Sequence, residues 1–314
     1  MSISFHSKLE SGLYVDSPFH ALTFPAGEAH IVTPDAWDPN DYTLHIADVR
    51  GHDPQDLFML AMWEEMLYTV SDDSNNPCNS AVLMPYLPGA RADRGNPVGA
   101  KVYANFLNGL FLGQIVTLDP HSPVMQGYIC NTDKVGAGGN NLTVFPFERI
   151  IKNEIQDASS GSKPQPYVGV IAPDRGAVDR AARAARVMGV PVYRAEKTRN
   201  FETGRLSGFH MVDSLPESGN FLLIDDICDG GRTFVGLADV IYESNPNVSL
   251  DLWVTHGVFP KEDGFKQLTQ VFGKIHTTDS YHIPDNDNAR LMKLQESVVV
   301  HKLAPYLYGE LNTV

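Results

Sequence analysis

The segment Phe221-Leu222-Leu223-Ile224-Asp225-Asp226-Ile227-Cys228-Asp229-Gly230-Gly231-Arg232-Thr233 runs four apolar residues into two aspartates and then into a glycine pair. A continuous apolar run closed by turn residues predicts a strand buried on both faces of a parallel sheet. The glycine pair predicts a tight turn opening a helix, whose first amides and dipole favour a bound phosphate. Carboxylates beside a phosphate site conflict with it unless the ligand also brings donors, and the vicinal hydroxyls of ribose are such donors. Strand, acidic pair and glycine turn together point to a phosphorylated ribose. Taken singly the parts are less specific: an aspartate run also suits Mg2+ or a helix cap, and Gly-Gly turns occur in many folds.

Outward from this segment, short apolar runs alternate with helix-period stretches: Tyr167–Pro173, Gly176–Met188, Val192–Ala195, Phe221–Asp226, Thr233–Glu243, Leu250–Thr255, Gly264–Phe272 and Lys274–Thr278. That alternation predicts parallel βαβ units. The Ala-rich helix of this series stops before Gly189-Val190-Pro191. A strand at Ser297–Leu303 and a helix from Pro305 close the chain. The first half offers strands at Tyr42–Ile46, Ser80–Leu87 and Gln114–Asp119, with helices at Gln55–Ser71 and Pro97–Leu112. The stretches Gly136–Asn141 and Asp157–Gln165 bracket a crossing between halves. The expectation is an α/β protein with domains at 1–150 and 151–314, the last helix free to return to the first domain.

At roughly 150 residues per domain, 314 residues agree with that division. With 43% hydrophobic and 20% charged residues, the composition excludes a disordered tail, a collagen-like fibre and a coiled coil. A formal charge of -14, from 24 basic and 38 acidic side chains, argues against nucleic acid as a partner. Cys78, Cys130 and Cys228 are too scattered for a disulfide framework or a thiolate metal site, which suggests a reducing, cytoplasmic setting. No basic and apolar leader opens the sequence and no run of about 18 apolar residues occurs, so neither export nor membrane insertion is expected.

In open α/β sheets ligands bind beyond the carboxyl ends of the strands. Asp174-Arg175-Gly176 follows one expected strand, Glu196-Lys197-Thr198-Arg199 the next, Asp225-Asp226 a third and Thr255-His256-Gly257 a fourth. Each alone reads as readily as a solvated turn; four in phase predict one crevice. Lys197 and Arg199 stand on a polar segment ending in Gly204 and Gly208, which predicts a mobile arm carrying two cations.

These motifs resemble those of type I phosphoribosyl-pyrophosphate proteins, and end to end the chain resembles the ribose-phosphate pyrophosphokinase (PRPP synthetase) family. Phe24-Pro25-Ala26-Gly27-Glu28 is similar to that family's adenine loop, and the segment from Met84 to Arg94, with Arg91, Asp93 and Arg94, to its second ATP segment. Leu118-Asp119-Pro120-His121 is similar to its metal segment, and Asp174-Arg175-Gly176 to its pyrophosphate loop. Lys197 and Arg199 match its catalytic arm, and Asp225, Asp226, Asp229, Gly230, Gly231, Arg232 and Thr233 its ribose-phosphate loop. The resemblance implies two phosphoribosyltransferase-type, Rossmann-like domains with parallel sheets. It also implies transfer of the β,γ-diphosphoryl group of Mg-ATP to the anomeric hydroxyl of ribose 5-phosphate, with release of AMP. Phe24, Glu28, Arg91, Asp93 and Arg94 would then serve ATP, Lys197 and Arg199 catalysis, and His121 and Asp174 the Mg2+, in a homo-oligomer, dimer or hexamer. Because Mg2+ prefers oxygen ligands, His121 by itself suits a hydrogen-bonding role equally well.

The chain departs from that pattern at Ala26 and Ala92, which replace polar groups reading the adenine edge, so base recognition falls to stacking on Phe24 or to other groups. In the ribose-phosphate loop an aspartate-threonine-x-glycine-threonine pattern becomes Asp229-Gly230-Gly231-Arg232-Thr233. A phosphate-capping hydroxyl is lost and a guanidinium gained, which suits either ribose 5-phosphate, the preferred acceptor, or the diphosphate of ADP-ribose. A non-catalytic regulatory subunit and a phosphoribosyltransferase are the competing readings. Lys197, Arg199, His121, Asp174 and the acidic pair speak against the first, and the Arg91-Asp93-Arg94 cluster against the second.

Overall fold

A computed structural model describes residues 2–35, 37–51, 53–70, 79–110, 112–130, 141–156, 166–199, 206–260, 262–281 and 297–311. Cys78, Gly204 and the expected crossing stretches at 136–140 and 157–165 lie outside the described residues, as does the Arg199 side chain. The chain divides into two compact units, Met1–Phe145 with Ala304–Val314, and Pro146–Leu303.

The first unit opens with β1 (Ile3–Lys8), β2 (Tyr14–Asp16), β3 (His20–Thr23) and β4 (Ala29–Val32). It continues with β5 (Leu44–Val49), α1 (Pro54–Val70), β6 (Ser80–Leu83), α2 (Gly99–Asn108), β7 (Gln114–Leu118), α3 (Pro123–Cys130) and β8 (Asn141–Phe145). Strands β5 to β8 are parallel neighbours, as βαβ reasoning requires. β1 is antiparallel to both β2 and β5, and β3 and β4 form a separate hairpin. None of these first four strands is signalled by an apolar run. β1 is an alternating strand that buries Phe5 and Ser7 and leaves its other side partly open, and Phe5 stacks on Trp63 of α1 at 5.9 Å. The strand expected at Ser80–Leu87 stops at Leu83, because Pro85 and Pro88 supply no amide to a ladder.

In the second unit a short helix α4 (Glu148–Ile151) precedes β9 (Gly169–Ala172), α5 (Val178–Met188), β10 (Val192–Arg199), β11 (Leu206–Met211) and β12 (Gly219–Cys228). Then come α6 (Arg232–Ser244), β13 (Val248–Gly257), α7 (Glu262–Val271), β14 (Ile275–Thr278) and β15 (Val298–His301). The sheet order is β11-β10-β9-β12-β13-β14-β15, parallel except at β11. Both large sheets are therefore mixed rather than purely parallel, each with antiparallel pairing at one edge.

Phe221, Leu222, Leu223 and Ile224 of β12 are fully buried between β9 and β13, as a central strand covered on both faces must be. Helix α5 ends at Gly189 with φ 70°, a left-handed stop that glycine adopts without penalty. Strand β10 continues four residues beyond the Val192–Ala195 apolar run, because antiparallel β11 pairs with it and opposes Lys197 to Phe209. Lys197 thus stands in a β ladder and not on a loose arm. Among the described residues no helix is long and apolar enough to cross a membrane.

Trp253, His276 and His301 form a buried stack, with the two imidazoles 5.3 Å apart and His276 Nδ1 3.1 Å from His301 Nε2. The Tyr167 hydroxyl donates to Asp251 Oδ2 at 2.7 Å and lies 3.4 Å from His276 Nε2. Burial, then His301 and Lys274, lowers the His276 pKa from 6.5 to about 3. The unfolded chain takes up that proton near its ordinary pKa while the folded one resists. The stability contributed by neutral His276 is therefore present above 6.5 and is lost as pH falls towards about 3. We expect unfolding free energy to drop by about 2 kcal/mol for this group between pH of about 7 and about 5, and His276→Phe to flatten the dependence. Urea midpoints across that range check it.

Candidate active site

Three of the polar clusters expected at strand ends stand on the adjacent strands β10, β9 and β12. Beyond β9, Asp174 caps the turn Arg175–Ala177: its Oδ1 accepts from the Gly176 and Ala177 amides at 2.9 and 3.3 Å. Its other oxygen, Oδ2, accepts from Lys197 Nζ of β10 at 2.6 Å. Arg175 Nε donates to Glu196 Oε1 at 2.9 Å. The turn after β9 is thus tied to β10 by two ion pairs. The Arg175 side chain is 85% exposed, so its pair adds little stability, whereas Lys197 and Asp174 are both about three-quarters shielded.

Asp225 and Asp226 lie in the last turnward residues of β12, where Asp225 Oδ1 accepts from the Asp226 amide at 2.9 Å. Arg180, buried on α5, sets its Nη1 3.4 Å from Asp225 Oδ1 and 3.7 Å from Asp226 Oδ1. Burial, and then the Asp226 carboxylate beside it, pushes the Asp225 carboxyl well above the usual range, and Arg180 pulls the other way. Arg180 is not among the residues that the sequence motifs single out. Its signal was faint but present: a guanidinium among alanines that the helix needs for close packing, in the series Arg180, Arg183, Arg186.

After Cys228 the chain turns through exposed Asp229 and Gly230 to Gly231, which has φ 74° and begins α6. The Phe234 and Val235 amides both return to the Gly231 carbonyl, at 3.0 and 3.1 Å. The amides of Arg232 and Thr233 belong to the first turn, which has no intrahelical acceptors, and this is the anion-favouring end of the helix. Arg232 is exposed beside it.

The fourth expected cluster does not join the others. Thr255, His256 and Gly257 lie buried within β13, His256 Nδ1 is 2.8 Å from Ser280 Oγ, and the Thr255 carbonyl accepts from Thr278 Oγ1 at 2.7 Å. The strand simply runs further than its apolar stretch, so these polar groups knit the sheet.

In the first unit Phe24 and Glu28 close the β3–β4 hairpin, the Phe24 amide donating to the Glu28 carbonyl at 2.8 Å. The Phe24 ring is 48% exposed and 5.4 Å from His30, an apolar face open to stacking. Arg91 and Arg94 are exposed on the loop after β6, and Arg94 Nε donates to Asp93 Oδ1 at 3.3 Å. Desolvation raises the Asp93 pKa, but Ser122, Arg94 and the nearby His121 outweigh it and hold the carboxyl below its usual range. His121 is exposed just past β7, after Asp119 with a left-handed φ of 39°. Among the described residues no three His, Cys, Asp or Glu side chains gather as a metal cage. A Mg2+ carried by a nucleotide needs only one or two protein carboxylates besides phosphate and water oxygens, and Asp174 fits that demand. The His121 imidazole matches a hard cation less well.

No protein-family model matches the chain. It is similar to ribose-phosphate pyrophosphokinases from Maricaulis maris, 24% identical over 212 residues, 66% of this chain and 63% of that protein, and from Sulfolobus acidocaldarius, 25% identical over 283 residues, 88% of each. A third, from Bradyrhizobium diazoefficiens, is 29% identical over 203 residues, 63% of this chain and 59% of that protein. The match thus spans less than two thirds of the length of the first and third relatives. Among solved structures the chain is similar to the phosphoribosylpyrophosphate synthetase of Mycobacterium smegmatis, with a TM-score of 0.70, 20% identity, and coverage of 94% of this chain and 89% of that one. That likeness is one of fold. Together these findings bear out the resemblance to the ribose-phosphate pyrophosphokinase family and the α/β class.

The glycine turn of β12 is held from behind by α7. A Cβ on Gly264 would stand 2.5 Å from the Gly230 carbonyl oxygen, while one on Gly230 would meet nothing within 4 Å. Because the obstacle at Gly264 is backbone, the turn itself must shift. Gly264→Ala is expected to cost about 1–3 kcal/mol, whereas Gly230→Ala stays within about 1 kcal/mol of the parent. Thermal unfolding of the two variants side by side is the check.

Proposed function

From its likeness to the ribose-phosphate pyrophosphokinase family, we propose that the chain is a diphosphotransferase acting on a 5-phosphorylated ribose, with ATP as donor. One observation carries the reading: Lys197 on β10 against Asp174 beyond β9, next to a β12 that delivers Asp225 and Asp226 into the Gly231 turn. The acidic pair suits the ribose hydroxyls, and the start of α6 suits the 5-phosphate. Lys197 and Arg199 suit the phosphoryl oxygens, on which charge builds in this chemistry. The anomeric oxygen forms a bond to the β phosphorus. The bond from that phosphorus to the α,β-bridging oxygen breaks, AMP departs with that oxygen, and the hydroxyl proton goes to solvent. No side chain enters a covalent adduct, so the protein works by positioning and by cationic stabilisation. Phe24 offers its face to the base, with Glu28, Arg91, Asp93 and Arg94 on the ATP side. Mg2+ would be held by Asp174 and would neutralise phosphate charge.

Release of AMP from Mg-ATP on adding ribose 5-phosphate tests the reading. No AMP with any ribose phosphate acceptor would turn it towards a non-catalytic subunit. Lys197→Ala is expected to lower turnover by at least about two orders of magnitude with the KM for ATP changed far less, since a cation acting on developing charge is felt in the transition state. Steady-state kinetics of AMP formation decide it.

A second acceptor, ADP-ribose, is favoured by the open space beside Gly230 and the exposed guanidinium of Arg232. On that reading Arg232→Gly cuts efficiency with ADP-ribose by about one to two decades, the worth of a charge-assisted hydrogen bond, and spares ribose 5-phosphate. If Arg232 instead holds a terminal phosphate, ribose 5-phosphate loses more. Efficiencies of both acceptors with both proteins separate the two.

A further inference from the structure

We propose that Arg180 is a positioning residue for the acceptor: its buried guanidinium holds Asp225 and Asp226 as a pair of hydrogen-bond acceptors for the ribose hydroxyls. The inference rests on the reading that this acidic pair binds the ribose. One nitrogen, Arg180 Nη1, lies within 3.4 Å of an Asp225 oxygen and 3.7 Å of an Asp226 oxygen. Solvent does little of this screening, since the three side chains are 10%, 17% and 5% exposed. Two adjacent carboxylates so shielded drive a proton onto one of them unless a cation intervenes. A protonated carboxyl turns one oxygen into a donor and so spoils a site for two vicinal hydroxyls. Burial and Asp226 do push Asp225 in that direction and leave its carboxyl above the usual range, and Arg180 is the cation that limits the rise.

The helix explains why this guanidinium arrives there. The turn capped by Asp174 starts α5, and α5 lies against both β9 and β12, so the turn that fixes Asp174 also fixes where Arg180 emerges. The next arginines of the series go elsewhere. Arg183 pairs with Glu148 at 2.6 Å and lies over the Phe147 ring at 4.8 Å, and Arg186 is exposed.

The test is AMP-release kinetics on Arg180→Met, Arg180→Lys and Asp226→Asn, each with its thermal midpoint. Arg180→Met is expected to raise the acceptor KM by about 10- to 100-fold, the loss of a charge-assisted interaction, while the KM for ATP and kcat at saturating acceptor move by less than about threefold. Arg180→Lys, which keeps the charge, should recover most of the acceptor affinity. A fall in kcat and thermal midpoint with the acceptor KM unchanged would mark a merely structural arginine and overturn the proposal, as would an equal rise in both KM values. Should Arg180→Met fail to fold, Asp225→Asn with and without Arg180→Met replaces it, since a single remaining carboxylate no longer needs the cation. Equal acceptor KM in those two supports the proposal, and a further tenfold rise in the double variant overturns it. If Asp226→Asn weakens ATP rather than the acceptor, it is the ribose assignment of the pair that fails. If Asp226→Asn weakens the acceptor and the Arg180 variants do not, only the role of Arg180 fails.

Discussion

Two carboxylates carried out of the buried middle of a central strand set the terms for the rest of this protein. Phe221 to Ile224 are buried on both faces, with β9 and β13 pairing along the two edges of β12 and α5 packed against it. That register fixes Asp225 and Asp226 where water is scarce, and burial of charge is unfavourable unless it is answered nearby. The answer comes from α5, whose Arg180 reaches both, and from the β12 backbone itself through the Asp226 amide. The apolar run and the acidic pair are thus one feature: the first supplies rigidity, the second a reason for the fold to keep a cation in its interior.

The ion pairs around the site differ in what they contribute. Arg175 with Glu196 is largely in solvent and contributes little. Removing one partner of a buried pair such as Arg180 with Asp225 costs about 3–5 kcal/mol, because the remaining charge is left without an answer. Lys197 with Asp174 stands between these extremes, a quarter exposed on each side. A cation there is exchangeable at modest cost, which suits a residue whose work is on a ligand; the buried arginine is fixed in place and suits holding other residues still.

How much of this the sequence discloses follows from how each element earns its burial. β12, with four consecutive buried apolar residues, and α5, with alanines on its buried face and the stop at Gly189, announce themselves because the local pattern already carries their burial. The first four strands do not, since β1 alternates and β2 to β4 are three or four residues long. The length of β10 was hidden because its last four residues are polar and are recruited by pairing with β11, a contact no local pattern records. His256 read as a site residue from its place after an apolar run, yet the strand continues through it and Ser280 satisfies its ring. Arg180 is only faintly legible, for the opposite reason: one charge in a helix looks solvated until the tertiary fold buries it. The motifs carrying the family resemblance were legible throughout, because they are short and local.

The β10–β11 hairpin has a consequence for how such a sequence drifts. Lys197 is opposed to Phe209, and the only irregularity in the described ladder falls beyond it, between Thr198 and Arg199. Insertions or deletions past that bulge change what joins the two strands without changing which residue faces Lys197. The hairpin therefore acts as a firebreak: the ladder inside the bulge, and not what lies beyond it, gives the lysine its address on Asp174.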